Sequence, residues 1–289
     1  MDHFPNPPRR RRDVLFPAAC LAASAVLCLI SFATGHEVWI ETAATGRVGQ
    51  EQEIHVCWGH SGHRQGGESL KDQQSRLTAW WIATEAPGQP LALTPKADHF
   101  AATFAPRAEA THQIVAESQV GIIDREFHGI PAKTRILMAG KTLVRVGKTA
   151  GATELAPRMD LDVTPITALD DLRPGGVFAA KVTFTKKPVG GPSVAATLST
   201  LGTQPFPKDP EVEGLAWSVK NTAHPATGEV RFPLIAAGRH ILTVRYTDET
   251  PGRYDGNLDF ATPFSHLRRG DAYERTLHVS TLTFEVGPQ

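Results

Sequence analysis

Histidines that could bind a transition metal are placed near the start of the chain. His36 follows Ala33-Thr34-Gly35, a run of small residues typical of the site at which signal peptidase cuts. Cleavage after Gly35 would make His36 the first residue of the exported protein, with an α-amine and an imidazole on the same residue. Together these nitrogen atoms can chelate Cu²⁺ or Ni²⁺, metals that prefer nitrogen ligands. We therefore predict that one cut in the chain creates half of a metal site.

A short bend supplies the other half of this predicted site. His60 and His63 lie in the segment Cys57–His63, where two glycines allow the backbone to turn sharply. With the amine and imidazole of His36, they would form an all-nitrogen ligand set for Ni²⁺, Co²⁺ or Cu²⁺. His128 is the predicted further ligand if a fourth imidazole is needed. The alternative interpretation is a polar turn with solvated histidines.

The first 35 residues are predicted to be a secretory signal peptide. Arg9–Arg12 precedes an apolar stretch that runs from Val14 to Phe32, as signal peptides require. The core Arg11-Arg12-Asp13-Val14-Leu15 also fits twin-arginine export, so the route stays open between the general and the twin-arginine pathways. An uncleaved membrane anchor is the alternative, because the stretch is about as long as a membrane span. We predict a periplasmic or secreted protein without stable membrane insertion once cleaved.

Charge and cysteine content narrow the classes of function. The chain has 30 basic and 30 acidic residues, and its first 35 residues hold four arginines and two aspartates. The exported part would therefore have 26 basic and 28 acidic residues, a net charge of −2. This balance argues against nucleic acid or an anionic membrane as the main partner. Cys57 would be the one cysteine left, so an internal disulfide is excluded and the core must stabilise the fold.

Familiar catalytic motifs are missing from the sequence. It has no HExxH, no phosphate-binding loop and no GxGxxG after a predicted strand. The segment Gly59–His63 differs from a nucleophile elbow because its last residue is histidine rather than glycine. The sequence therefore gives no basis for predicting an enzyme.

Apolar and polar residues alternate along almost every segment after residue 35, and Gly, Pro and Thr interrupt them at short intervals. This pattern is typical of antiparallel sandwiches. We predict an all-β protein with two β-sandwich domains in tandem, residues 36–149 and 158–287. A small, polar segment at 148–157 is the predicted linker. The segment 248–271 is long for a sandwich loop, and its role stays open.

Two strand pairs follow from the turn signals. His36–Glu41 and Glu53–Trp58 are predicted to form the first pair, which places the mature N-terminus near the end of the second strand. Gly228–Leu234 and Arg239–Tyr246 are predicted to pair around a turn at Ala237-Gly238.

A series of short motifs occurs in order over nearly the whole exported chain. They are His36-Glu37-Val38-Trp39-Ile40, Gly59-His60, Pro131-Ala132-Lys133-Thr134, Val146-Gly147, Leu161-Asp162-Val163-Thr164-Pro165, Lys187-Pro188-Val189, Gly228, Gly238-Arg239-His240 and Thr281-Leu282-Thr283-Phe284. In this order they resemble a family of secreted proteins described as periplasmic components of nickel and cobalt transport, otherwise grouped under a domain of unknown function. The second half also resembles transthyretin-like and carboxypeptidase-regulatory-like β-domains.

The resemblance implies a function in metal uptake. We expect a secreted protein that binds Ni²⁺ or Co²⁺ and passes the ion to a metal-uptake transporter in the membrane. Two alternatives belong to other classes: a copper protein with a histidine brace, acting as oxidase or copper carrier, and a structural or adhesive β-sandwich module without metal.

Overall fold

The computed structural model describes residues 36–60, 63–83, 88–147, 158–201 and 218–288. All of them belong to one compact unit of the chain, residues 34–289. The predicted signal peptide at 1–35, the predicted linker at 148–157, and Ser61 and Gly62 of the predicted bend lie outside the described residues. Within the described ranges, no helix is both long and apolar enough to cross a membrane.

The described part of the N-terminal half (residues 36–147) consists of strands and one short helix. These elements are β1 (Glu37–Glu41), β2 (Thr45–Gly46), β3 (Gln52–His60), β4 (His63–Arg64), α1 (Glu68–Lys71), β5 (Leu77–Ala83), β6 (Gln89–Pro90), β7 (Thr94–Pro95), β8 (Phe100–Phe104), β9 (Ala110–Ile123) and β10 (Thr134–Val146).

The described part of the C-terminal half (residues 158–288) is built in the same way, with a single 3₁₀ turn at Leu169–Asp171. Its strands are β11 (Leu161–Pro165), β12 (Val177–Phe184), β13 (Lys187–Pro188), β14 (Val194–Thr200), β15 (Ser218–Thr222), β16 (Glu229–Pro233), β17 (Gly238–Asp248), β18 (Gly252–Arg253), β19 (Phe260–Ala261), β20 (Ser265–Leu267), β21 (Ala272–Tyr273) and β22 (Arg275–Val286). The predicted all-β sandwich class is confirmed.

One long sheet runs through both halves. Its main strand order is β15-β14-β17-β22-β10-β9-β20-β19, with β2, β5 and β6 at its margins. A short sheet of β1, β3, β4, β7 and β8 packs on its N-terminal part, and an outer sheet of β11, β12, β13 and β16 packs on its C-terminal part. The result is two hydrophobic cores on a shared sheet.

The halves join through strands that are far apart in sequence. β10 pairs with β22 in parallel over Thr134–Thr142, so the closing strand lies directly beside the last strand of the N-terminal half. Each half keeps its own cluster of buried apolar side chains, one around Val56 and Ile114 and the other around Phe178 and Leu242. The domain bounds 36–149 and 158–287 stay a prediction.

The first predicted strand pair is confirmed. β1 and β3 are antiparallel, with Glu37 opposite Gly59, Trp39 opposite Cys57 and Glu41 opposite His55. Alternation places Val38 and Ile40 in the N-terminal core. The side chains of Glu37, Trp39 and Glu41 point the other way and contact β17.

The predicted pair around Ala237-Gly238 is wrong. β16 pairs with β12 in the outer sheet, whereas β17 pairs with β14 and β22 in the long sheet. The chain crosses from one layer of the sandwich to the other at this turn. A turn signal marks where a strand ends but does not determine which strand becomes its neighbour.

Strand β1 lies close over the long sheet. A side chain at Gly140 of β10 would place its Cβ 2.8 Å from the carbonyl oxygen of Val38, so only glycine permits this approach. Thr281 of β22 donates a hydrogen bond of 2.7 Å to the same carbonyl. These contacts hold β1, and with it the residue that precedes it, against the middle of the molecule.

Candidate metal centre

His36 and His60 lie together at one end of the short sheet. Because Glu37 is opposite Gly59, residue 36 falls opposite residue 60 in the same register. Their imidazole rings are stacked, with centroids 4.7 Å apart. The ring of Trp58 stacks against His36 from the core side, at 5.3 Å. The predicted strand pairing thus brings two of the four predicted ligands into contact.

Buried charges next to His36 fix the position of its backbone. The side chain of Glu37 is almost fully buried and accepts hydrogen bonds of 2.9 Å from Thr243 and from Arg245 of β17. Charge-assisted hydrogen bonds of this kind are among the stronger ones in proteins. They tie the start of β1 to the long sheet one residue away from His36.

Gln65 determines which nitrogen of His36 is free. The Nε2 atom of His36 lies 2.7 Å from Oε1 of Gln65. With Oε1 of Gln65 as the acceptor, Nε2 of His36 donates and Nδ1 carries the lone pair. The backbone N–H of Gln65 is itself held by the carbonyl of Trp58, at 2.7 Å. Nδ1 is the nitrogen that can close a chelate ring with the α-amine of the same residue.

The surroundings favour the neutral form of His36. Burial lowers the pKa of His36 below its ordinary value, the hydrogen bond to Gln65 opposes this, and the charge of nearby His128 lowers the pKa further. Metal ions bind the neutral imidazole, so a lowered pKa leaves the ring available to a metal at neutral pH.

His63 and His128 lie at the margin of this pair. His63 is opposite His60 across the β3–β4 hairpin, and its side chain is exposed. Gly59 makes the hairpin possible, because a Cβ there would lie 2.1 Å from the carbonyl oxygen of His63. His128 is exposed in the β9–β10 connection, with a positive φ of 50° and its ring edge against Phe127.

The four predicted ligands do not converge on one point in the described structure. Among the described residues, no three side chains that include one of them bring ligand atoms within 4.8 Å of one another. The α-amine of His36 would join the set only after cleavage at Gly35. The assignment of His36, His60, His63 and His128 as metal ligands therefore stays a prediction.

A different group of three side chains does bring its ligand atoms this close together. Glu53, His55 and His99 bring one ligand atom each within 4.8 Å of one another. These three residues are not among the predicted ligands. Glu53 and His55 alternate on β3, which was a signal for a shared face, but His99 lies on another part of the chain and only the pairing of β3 with β8 brings it near.

A polar network surrounds this cluster. Arg64 donates to Glu41 at 2.7 Å, to Asp98 at 3.3 Å and to Nδ1 of His55 at 3.3 Å. Burial alone would raise the pKa of Glu41, but hydrogen bonds from Arg64 and Trp39 and the positive charge nearby lower it below its usual value. Glu41 is therefore an anion at neutral pH.

Cys57 lies beside the network as a buried thiol. Burial raises the pKa of Cys57 far above its ordinary value, and the negative charge of Glu41 raises it further. The sulfur packs with Trp39 and Ile241 in a small apolar cluster. Since the thiolate is the form that binds metal, this cysteine is a core residue rather than a ligand.

The remaining buried histidines are held by structural contacts. Nδ1 of His112 accepts a hydrogen bond of 3.0 Å from the indole of Trp81. His240 is fully buried, bonds to the carbonyl of Gly238 and stacks on Phe284. Burial lowers the pKa of His278 to about 4. These three side chains contribute to the folded core.

The fold and the histidine pair define a class: an all-β protein with two cores on one shared sheet and imidazoles at the end of its short sheet. The chain matches the family described as Domain of unknown function (DUF4198) over residues 33–248, and it belongs to that family. A comparison with curated proteins finds no match. The family description names no ligand, so the nickel and cobalt part of the resemblance stays a prediction.

Proposed function

We propose that this protein acts outside the cytoplasm as a binder of a divalent transition metal, Ni²⁺ or Co²⁺, with Cu²⁺ as the alternative. The ligands are the α-amine and imidazole of His36 after cleavage at Gly35, the imidazole of His60, and His63 or His128 when the metal is bound. The protein holds the ion exchangeably and passes it to a metal-uptake transporter in the membrane.

The observation that carries the proposal is the contact between His36 and His60, with ring centroids 4.7 Å apart. The pairing of β1 with β3 places residue 36 there, so the two imidazoles need no large backbone movement to share an ion. Preorganised ligands lower the entropy lost on binding.

The state of His36 supports the same proposal. Its Nε2 is engaged by Gln65, which leaves Nδ1 for a chelate with the amine. His60 is half-buried and His63 is exposed, so one side of the site is open to water. An open, incompletely enclosed site suits a protein that must release its metal.

The same chelate supports copper as the alternative ion. A histidine brace uses the amine and Nδ1 of an N-terminal histidine together with a second imidazole, and the tautomer imposed by Gln65 leaves the required atom free. Cu²⁺ also binds nitrogen ligands more tightly than Ni²⁺ or Co²⁺. Turnover with oxygen and a reductant would separate a copper oxidase from a carrier.

Calorimetric titration of the exported protein with Ni²⁺, Co²⁺ and Cu²⁺ tests the proposal. Intact mass first checks that the chain begins at His36. One extra glycine before His36 should weaken binding as much as His36→Ala, because both changes destroy the chelate. His60→Ala should weaken binding as well. His224→Asn is the matched control, since His224 is exposed and an asparagine oxygen can replace its Nδ1 as acceptor for the backbone of the turn.

Two results would contradict the proposal. If the extended protein binds as tightly as the protein that begins at His36, the metal site lies elsewhere. If the exported protein binds no more tightly than an unrelated protein of similar histidine content, the interpretation as a structural or adhesive module replaces this one.

A further inference from the structure

We infer that Glu53, His55 and His99 form a second site for a divalent cation of the Zn²⁺ type, independent of the N-terminus and of its cleavage. It goes beyond the proposed function because it needs neither the α-amine nor His36. Their ligand atoms lie within 4.8 Å of one another.

Strand pairing places the three side chains on one face of the short sheet. Glu53 and His55 are alternate residues of β3 and therefore point to the same side. Ala101 of β8 is opposite His55, so His99, two residues before Ala101, shares that face and is diagonal to His55. The centroids of the two imidazole rings are 4.0 Å apart.

The distance between Glu53 and His55 already matches the distance between two ligands of one metal ion. Nε2 of His55 lies 3.3 Å from Oε1 of Glu53. Two ligands held about 2.0–2.1 Å from a tetrahedral Zn²⁺ are separated by roughly the same distance. His99, whose ligand atom lies within 4.8 Å of the other two, completes a site of two histidines and one carboxylate.

Asp98 orients His99 for this role. Its Oδ1 lies 2.7 Å from Nδ1 of His99, so Nδ1 donates and Nε2 carries the lone pair. A carboxylate behind a ligating histidine fixes the tautomer and makes the ring a better ligand. Asp98 is a positioning residue in this arrangement and does not touch the metal.

Charge and exposure suit a cation that enters from solvent. Three carboxylates, Glu41, Glu53 and Asp98, surround the site, against the guanidinium groups of Arg64 and Arg239. The side chain of Glu53 is 60% exposed, whereas that of His99 is 13% exposed. The two imidazoles therefore form the inner wall, and the carboxylate lies at the mouth.

Arg64 limits the affinity of the site. A guanidinium only donates, so its contact of 3.3 Å with Nδ1 of His55 requires the proton of that ring to be on Nε2, facing Glu53. A metal at Nε2 displaces this proton, and the ring is then neutral only with Nδ1 protonated, which breaks the contact with Arg64. We therefore expect the site to bind Zn²⁺ with moderate affinity and to exchange it readily with solvent.

The experiment uses exported protein that carries His36→Ala and His60→Ala, so that the N-terminal site is removed. Titration with Zn²⁺ should still give one bound ion per chain, and Co²⁺ should give a visible absorption band. His99→Ala and His55→Ala, each added to this background, should weaken Zn²⁺ binding by more than about 10-fold, because even the loss of an outer partner costs about 10- to 100-fold. Asp98→Asn should weaken binding within that range and shift the Co²⁺ band. His224→Asn should change neither.

Circular dichroism and thermal unfolding show whether each variant is folded before it is compared. Zn²⁺ binding that survives both His55→Ala and His99→Ala in folded protein would overturn the inference, as would loss of all binding in the His36→Ala/His60→Ala background. The proposed function is tested by a separate result: it is contradicted if one extra glycine before His36 leaves Ni²⁺ and Cu²⁺ binding unchanged.

Discussion

A buried ion pair between the two halves gives the sharpest prediction about stability. Lys141 of β10 and Asp162 of β11 form a salt bridge, with side-chain exposures of 2% and 0%. The other carboxylate oxygen of Asp162 accepts backbone hydrogen bonds from Arg158 at 2.8 Å and from Met159 at 3.2 Å. The pair therefore connects the long sheet to the residues that open the C-terminal half.

Lys141→Met keeps most of the side-chain volume but removes the cation. Asp162 would then be a fully buried carboxylate with no cation beside it, held by the backbone donors of residues 158 and 159 and by a long contact of 3.5 Å from the hydroxyl of Thr164. Removing one partner of a buried pair costs about 3–5 kcal/mol, whereas an exposed pair is worth about 1 kcal/mol or less. At about 2–4 °C per kcal/mol for a protein of this size, the melting temperature should fall by about 6–20 °C.

Urea unfolding followed by tryptophan fluorescence measures the loss of unfolding free energy. The matched control is the double variant Lys141→Met/Asp162→Asn, in which no charge is left and the amide oxygen can still accept from the backbone of residues 158 and 159. It should be more stable than Lys141→Met alone. A loss below about 1 kcal/mol for Lys141→Met, or a double variant that loses the sum of the two single changes, would refute the reasoning.

Three further predictions concern the hairpin, acid stability and the second metal site. Gly59→Ala should lower the melting temperature in scanning calorimetry, because its Cβ would lie 2.1 Å from the carbonyl oxygen of His63; an unchanged value would contradict this. Burial lowers the pKa of His278 from 6.5 to about 4, so the unfolded chain takes up this proton before the folded protein does. The contribution of His278 to the free energy of unfolding is therefore complete above pH 6.5 and is lost as the pH falls toward 4. His278→Gln should reduce that acid loss by up to about 3 kcal/mol in urea unfolding, and parallel pH curves for the two proteins would argue against it. Arg64→Gln should tighten Zn²⁺ binding about 10-fold in a chelator competition, because one opposing hydrogen bond to His55 is removed; weaker binding would show that Arg64 supports the site.

The positions of most strands could be predicted from the sequence because apolar and polar residues alternate along a strand that is buried on one face. In β12, alternation places Phe178, Ala180 and Val182 in the core and leaves Val177 and Lys181 exposed. The first strand pair followed in the same way from two alternating segments and the turn between them. The contact of His36 with His60 is a direct consequence of that pair.

The choice of neighbours among distant strands was decided by the tertiary structure. The parallel pairing of β10 with β22 joins Leu137 to His278, which are far apart in the chain, and no periodic pattern specifies it. The same holds for β16 and β17, which are adjacent in sequence but pack in different sheets. Sheet partners are selected by the burial of both faces at once, which depends on the whole fold.

The two candidate metal sites also differ in how far the sequence predicts them. From the sequence by itself we predicted that a histidine follows a cleavage site and that the first strand pair would bring it near the bend that contains His60. The grouping of Glu53 and His55 with His99, and the contact of Arg64 with His55, arise only when β8 and β4 pair with β3 along the edge opposite β1. Side chains become ligands of one ion through distances in space, and those distances are fixed by nonlocal packing rather than by spacing along the chain.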